Sequence, residues 1–382
     1  MIRGWCPSLY EPMATGDGML VRVKPRGGVV SAAELRLIMA QAAALGSGVI
    51  ELTGRANLQI RGLAADGLEA FARAMVDAGL ASADAAGERR RNVIGTPLGD
   101  IDPAAHPRTS AVATALEVAL GADRTLAGLP GKFGFVVDGG GMLPPAVGAD
   151  IRVSLFGDEA EIGCDGADEV AVVGLEEAVA TALGLARAFL ASKGKRMRDV
   201  DAAELFAAVG LGTRAASRPR DSRSPIGAIG TLAFGGALPF GSATADVWRG
   251  LADLAERHGD GRVRLTPWRT VLIAGASAGL PAALEGLGLI VDPLDARLRV
   301  SACTGQPGCA SASVATRALA AQLRPPVGST VHVSGCEKGC AHPGVASVTL
   351  VGREGSFDLV RNGRAGDAPA RRGLSPAEAL VS

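Results

Sequence analysis

The 382-residue sequence predicts an α+β fold built by internal duplication. Three observations predict it. An order of strand, helix, strand, strand, helix runs through residues 19–79 and again through 226–288. The hairpins of the two copies line up without a gap, "LTGRANLQI" against "LTPWRTVLI". Each copy is followed by a segment in which strand and helix patterns alternate. The layout is therefore A-B-A′-B′.

In the first copy "MLVRV" reads as a strand. "SAAELRLIMAQAAALG" reads as a helix, with Ser31 as N-cap, Glu34 completing a capping box and Gly46 as the stop. "VIEL" and "LQIRG" are strands joined by a turn at "TGRAN". "DGLEAFARAMVDAG" is a second helix with Asp66 and Glu69 in its capping positions. In the second copy "IGAIGTLAF" is a strand and "SATADVWRGLADLAERHG" a helix. "RVRL" and "TVLIA" are strands joined by "TPWR", and "GLPAALEGLG" is the closing helix. This is the order of a ferredoxin-like half, in the α/β-sandwich sense.

The first B segment has a loop "RRRNVIGTPLGDIDP", a helix "TSAVATALEVALG" and strands "KFGFVVD" and "DIRVSLFG". The second has a strand "RLRVS", a helix "ASASVATRALAAQL" and strands "TVHVS" and "VASVTLVG". The Arg-, Ser- and Pro-rich stretch "GTRAASRPRDSRSP" (212–225) reads as a linker. The expected units are 1–80 (ferredoxin-like half 1 with an N-terminal arm), 81–211 (B), 212–290 (linker and ferredoxin-like half 2) and 291–382 (B′).

Apolar residues make up 48% of the chain but aromatics only 3%, so the cores must be built from Ala, Val, Leu and Ile. Lys+Arg and Asp+Glu are equal at 39 each, which argues against a basic nucleic-acid binder. The N-terminus has no apolar run of signal-peptide length, and no stretch approaches 18 uninterrupted apolar residues. The expectation is a cytoplasmic protein without a membrane span. Paired cysteines there serve metal or redox chemistry more often than structural disulfides.

Four of the six cysteines fall in two short stretches of B′, Cys303 and Cys309 as C-x5-C and Cys336 and Cys340 as C-x3-C. The first pair follows a strand, and Cys309 is expected to begin a helix whose positive end would face an anion. Gly305, Gly308, Gly335 and Gly339 bracket the thiols and allow close backbone approach. Four thiolates from two loops suit an iron–sulfur cubane. Zinc knuckles prefer spacings of two to four residues, so C-x5-C fits them poorly. Cys164, in "EIGCDGADE", is read as a hairpin turn unrelated to the site.

C-x5-C followed by S-G-C-x3-C, after a duplicated ferredoxin-like half, resembles the sulfite and nitrite reductase superfamily. The resemblance implies a duplicated nitrite/sulfite reductase-like architecture, with two ferredoxin-like halves alternating with two α/β cluster- and tetrapyrrole-binding halves. It implies that Cys303, Cys309, Cys336 and Cys340 hold a [4Fe–4S] cluster, with Cys340 the candidate bridge to a sirohaem iron. "TGRANLQIRG" is similar to the family's T-x-R-x-x-x-Q signature, which makes Arg55 the candidate anion-binding residue, supported by Asn57, Gln59 and Arg61. "RRRNV" resembles its Arg-Asn-Val loop and points to Arg91. "LPGKFGF" resembles its K-x-K strand, so Lys132 fits the first lysine, while Gly134 stands in place of the second. Arg55, Arg91 and Lys132 are thus the candidate catalytic cations. The absent second lysine puts sulfite or nitrite reduction in doubt, because an oxyanion needs several cations around it. Taken without the resemblance, Arg55 and Arg61 read as a solvated strand edge and Arg89 to Arg91 as a solvated loop.

"RGWCPSLYEPMATGDGMLVRV" (3–23) resembles a different branch of the superfamily, the precorrin-3B synthases of aerobic cobalamin biosynthesis. That resemblance implies an O2-dependent monooxygenase that hydroxylates precorrin-3A at C20 and closes a γ-lactone. It implies a [4Fe–4S] cluster with a mononuclear non-haem iron, and an external electron donor. The sequence does not identify the ligands of that iron: Cys6, His106, His332 and His342 are candidates in principle, with a structural role open for Cys6 and a hydrogen bond near the cluster open for His342. The alternative is a sulfite or nitrite reductase with bound sirohaem, and a third reading is a non-catalytic binder on the same scaffold.

Overall fold

A computed structural model describes residues 7–145, 147–217, 223–275 and 277–381. Cys6 and part of the 212–225 linker lie outside the described residues. The α+β duplication is present. The first sheet runs Met13–Thr15, Gly18–Val23, Leu58–Leu63, Val49–Leu52. The matching sheet of the second copy runs Gly227–Ile229, Ala233–Ala237, Thr270–Ala274, Arg262–Leu265. Each is antiparallel, and each takes its fifth strand from the other copy. Ser242–Thr244 pairs with Val49–Leu52, and Val29–Ser31 pairs with Arg262–Leu265. Helices Ala32–Leu45 and Ala245–His258 pack together, so Leu35, Ile38, Trp248 and Leu251 belong to one buried core spanning both halves.

Two elements depart from expectation, the first because of the exchange. The helix expected from Ser242 begins at Ala245, because residues 242–244 are spent on the borrowed strand. The strand expected over 226–234 is a hairpin, Gly227–Ile229 and Ala233–Ala237, matching Met13–Thr15 and Gly18–Val23 in the first copy. The Ser31–Glu34 capping box is formed, with the Ser31 hydroxyl accepting from the Glu34 N–H. Asp66 makes no cap. A 3-10 turn at Ala65–Gly67 leads into the helix Leu68–Asp77.

The two B sheets have a common plan. Val93–Gly95, Phe135–Asp138 and Ile151–Phe156 are parallel, and Glu159–Cys164 and Glu169–Gly174 continue antiparallel. In B′, Val300–Ala302, Val331–Ser334 and Ala346–Arg353 are parallel, followed by Ser356–Gly363 and Arg371–Leu374. The cysteine pairs sit in loops leaving the C-terminal ends of the first two parallel strands, where open sheets of this kind place ligands. The periodicity reading missed Val93–Gly95, Glu159–Cys164, Glu169–Gly174 and the helix Ala178–Ser192. It also overextended the B′ helix, which covers Thr316–Ala320 rather than 310–323. Residues 310–315 are consumed in turns: the Ala312 N–H donates to Cys309 O, and the Ser313 N–H to Gly335 O. Cys309 therefore does not open a helix; the helix that follows starts at Thr316, whose hydroxyl donates to Cys303 O.

Candidate functional site

Cys303, Cys309, Cys336 and Cys340 line one cavity of about 740 Å³ between B′ and the first ferredoxin-like half. The same cavity is lined by Arg22, Arg55, Gln59, Arg61 and Lys132. The strand alternation explains part of that lining. Arg22 and Gln59 are register partners on neighbouring strands, and the Arg22 guanidinium donates to Gln59 Oε1 at 3.0 Å. Arg55 sits in the hairpin turn, where the next residue, Ala56, has φ 55°. Its guanidinium donates to Lys132 O at 2.6 Å, bringing the B segment to the rim. A Cβ on Gly134 would lie 3.4 Å from Arg55 Nη1, so glycine there leaves room for the arginine.

The thiols suit a shared cationic centre. Burial raises the Cys340 thiol above its ordinary range, and the neighbouring Cys336, Cys303 and Cys309 raise it further. Collecting thiolates here is costly unless iron compensates them. The Gly335 N–H donates to Cys303 Sγ at 3.1 Å, the kind of contact that tunes a cluster thiolate. Among the described residues, no three His, Cys, Asp or Glu side chains converge closely enough to hold a single metal ion. The four cysteines line one cavity without converging on a single-ion site. That arrangement fits a cubane, which takes one thiolate at each iron.

Among the described residues, His106, His332 and His342 do not assemble into a set of three or more ligands for a mononuclear iron. His106 lies in B, with Nε2 2.8 Å from Gly157 O and Nδ1 accepting from the Arg108 N–H. His332 and His342 stand edge to face at 5.8 Å behind the second cysteine loop. His332 is fully buried, neither ring nitrogen has a partner, and burial, with His342 adding to it, holds it down to about 4. Cys164 ends the strand Glu159–Cys164 rather than occupying a turn. It is buried and pushed up to about 12, away from the cavity.

Two of the expected basic-pocket residues are elsewhere. Arg91 is buried and held by Glu88, Glu117, Lys24 O and Leu80 O, which makes it part of the joint between the first half and B. Arg89 and Arg90 end a short helix, Ala85–Arg90, and Arg91 is its non-helical C-cap, so the three reach different neighbours. Asn57 is buried beside a smaller cleft with Asn92 and Gly134. Arg61 does reach the cavity, but its guanidinium binds Asp17 and Gly308 O. The sequence reading missed Arg22, which could have been found by alternation, since it lies one strand over from Gln59. It also missed Asp17, Glu51 and Arg317, whose roles depend on contacts across the fold.

The ferredoxin-like halves match the family described as nitrite/sulfite reductase ferredoxin-like half domain, over residues 11–78 and 229–288. Precorrin-3B synthase of Sinorhizobium sp is 34% identical over an alignment covering 97% of this chain and 85% of that protein. Ferredoxin–nitrite reductase of Synechococcus elongatus is 26% identical, covering 91% of this chain and 78% of that protein. The structure of Mycobacterium tuberculosis NirA protein superposes with a TM-score of 0.69 at 21% identity, covering 94% of this chain and 77% of that one, a likeness of fold.

Proposed function

The chain belongs to the precorrin-3B synthase family within the nitrite and sulfite reductase superfamily, and from that premise we propose that it is a monooxygenase converting precorrin-3A to precorrin-3B. The observation that carries the reading is the cavity itself, about 740 Å³ and lined by four thiols and by cationic side chains. That volume is within the usual range for a sizeable organic ligand. A tetrapyrrole bearing acetate and propionate groups needs such cations, because guanidinium forks bind carboxylates in pairs of hydrogen bonds.

Cys303, Cys309, Cys336 and Cys340 would hold a [4Fe–4S] cluster. When bound, it supplies single-electron transfer. Overall, O2 places one oxygen atom on C20 of the substrate. The other leaves as water, with two electrons and two protons from an external donor. The chain's own residues bind and orient. Arg55 and Lys132 would read peripheral carboxylates, with the Arg22–Gln59 pair lining the same cavity. Arg91 has a supporting role through its buried ion pairs.

The test is anaerobic purification, measurement of iron and of the absorption spectrum, then addition of precorrin-3A and O2. The expected product is the C20-hydroxy γ-lactone. Tightly bound sirohaem with sulfite or nitrite turnover would establish the reductase alternative instead. Gly134 in place of a second lysine weighs against that alternative.

A further inference from the structure

The C-x5-C loop is held at both ends by side chains of the first ferredoxin-like half. Gly308, beside Cys309, gives its carbonyl to Arg61 Nη2 at 2.6 Å and to the Gly16 N–H at 3.3 Å. Arg61 in turn donates twice to Asp17, at 3.0 and 2.9 Å, and lies 3.5 Å from Glu51. Thr304, beside Cys303, donates its hydroxyl to Glu51 Oε1 at 3.3 Å. Glu51 also accepts from Gln59 Nε2 at 2.7 Å and from Arg317, on the helix that follows the loop. A Cβ on Gly308 would stand 3.1 Å from Arg61 Nη2 and 3.2 Å from Asp17 Oδ2, so the loop backbone rests directly on this pair.

Asp17, Arg61, Glu51 and Arg317 thus form a chain of alternating charge that sums to zero. Its inner members are well shielded, with Arg61 5% and Glu51 12% exposed in their side chains. Buried ion pairs of this kind contribute little net stability and are better understood through the geometry they impose.

We propose that Glu51 and Arg61, with Asp17 and Arg317, are positioning residues that hold the Cys303–Cys309 loop in its cluster-binding shape, and that Arg61 serves this role instead of reading substrate carboxylates. The inference rests on the reading of the four cysteines as cluster ligands. It has an electrostatic consequence. Removal of one charge from this chain shifts the cluster's potential with a definite sign. Glu51→Gln keeps the shape and leaves a net positive charge, which favours the reduced, more negative cluster. Arg61→Gln leaves a net negative charge and disfavours it.

The experiment uses the full chain reconstituted anaerobically with iron and sulfide. It measures iron and sulfide per chain, the rate of cluster loss to a chelator, and the reduction potential by EPR-monitored titration. Glu51→Ala is expected to lose cluster roughly 10–100-fold faster, the usual scale for removing an outer partner of a metal site. Glu51→Gln is expected to move the potential upward and Arg61→Gln downward. Loosening of the fold alone would move both variants the same way. Unchanged cluster retention in Glu51→Ala overturns the proposal, and so do potentials that shift together or not at all. If the unmodified chain takes up no cluster, the ligand reading fails and this inference falls with it.

Discussion

The two copies of the duplicated hairpin meet their B segments in opposite ways. In the first copy, Arg55 and Gln59 line an open cavity with the cysteine loops, and Arg61 holds Gly308 of the first loop directly. The aligned positions of the second copy are Trp268, Leu272 and Ala274. There Leu272 and Trp268 pack with Leu98, Leu143, Ile229 and Ala233, closing the corresponding joint with apolar side chains. The loops after the parallel strands of B, which correspond to the cysteine loops of B′, supply Leu98 and Leu143 to that plug. Glu51, which ties the first half to Arg317, has Arg264 at its aligned position, and Arg264 reaches back to Asp100 at 2.6 Å. Duplication supplied two equivalent joints. One keeps polar groups, some paired directly across the joint and others left around a cavity, and the other is closed by packed apolar side chains.

The largest test of this contrast is at the polar joint. Cys340→Ala is expected to abolish cluster binding and all activity. Iron, acid-labile sulfide and the visible spectrum report it, and a variant that kept a full cluster would show that the ligand set is wrong. At the apolar joint, Leu272→Ala should cost about 2–5 kcal/mol, as for other buried large-to-small changes, measured by denaturant unfolding. Its cluster content per folded chain should be unchanged. Loss of cluster in that variant would break the separation between the two joints.

Lys24 sharpens the comparison further, since the second copy has Ala237 at the corresponding place. Its ammonium donates to Glu88 O and Arg89 O in B, and burial holds it down to about 8 from an ordinary 10.5. The unfolded chain therefore binds the extra proton between these values. Stability from this position is reduced at neutral pH and rises as pH climbs from about 8 to about 10.5, by about 3 kcal/mol. Lys24→Met should lack that rise in parallel unfolding curves. The smallest effect is expected for Asp100→Asn, about 1–2 kcal/mol, because Asp260 remains to pair with Arg264. A loss several times larger would mean that Asp100 alone anchors the apolar joint.

The duplication, the capping box at Ser31 and the thiol quartet were legible because each depends on local order: periodicity, a four-residue spacing, two short motifs. The extra hairpin strand in each copy was not, since "IGAIGTLAF" reads as one apolar run until Gly230, at φ 55°, turns it. The B′ helix was overextended because "ASASVATRALAAQL" has helical composition throughout. Its first residues are instead tied by hydrogen bonds to Cys309 and Gly335. Arg91 was misplaced for a related reason. A run of three arginines carries no sign of which one a buried Glu88 and Glu117 will claim.

The sequence by itself determined the repeat, the central elements of its two copies and which four cysteines could act together, because those follow from side-chain pattern along the chain. Only the tertiary structure decided that each copy lends a strand to the other. It also decided that Arg61 is taken by Asp17 and Gly308 and that one of two equivalent joints is sealed. These outcomes depend on which groups meet across hundreds of residues, where desolvation and pairing, not local propensity, set the partner.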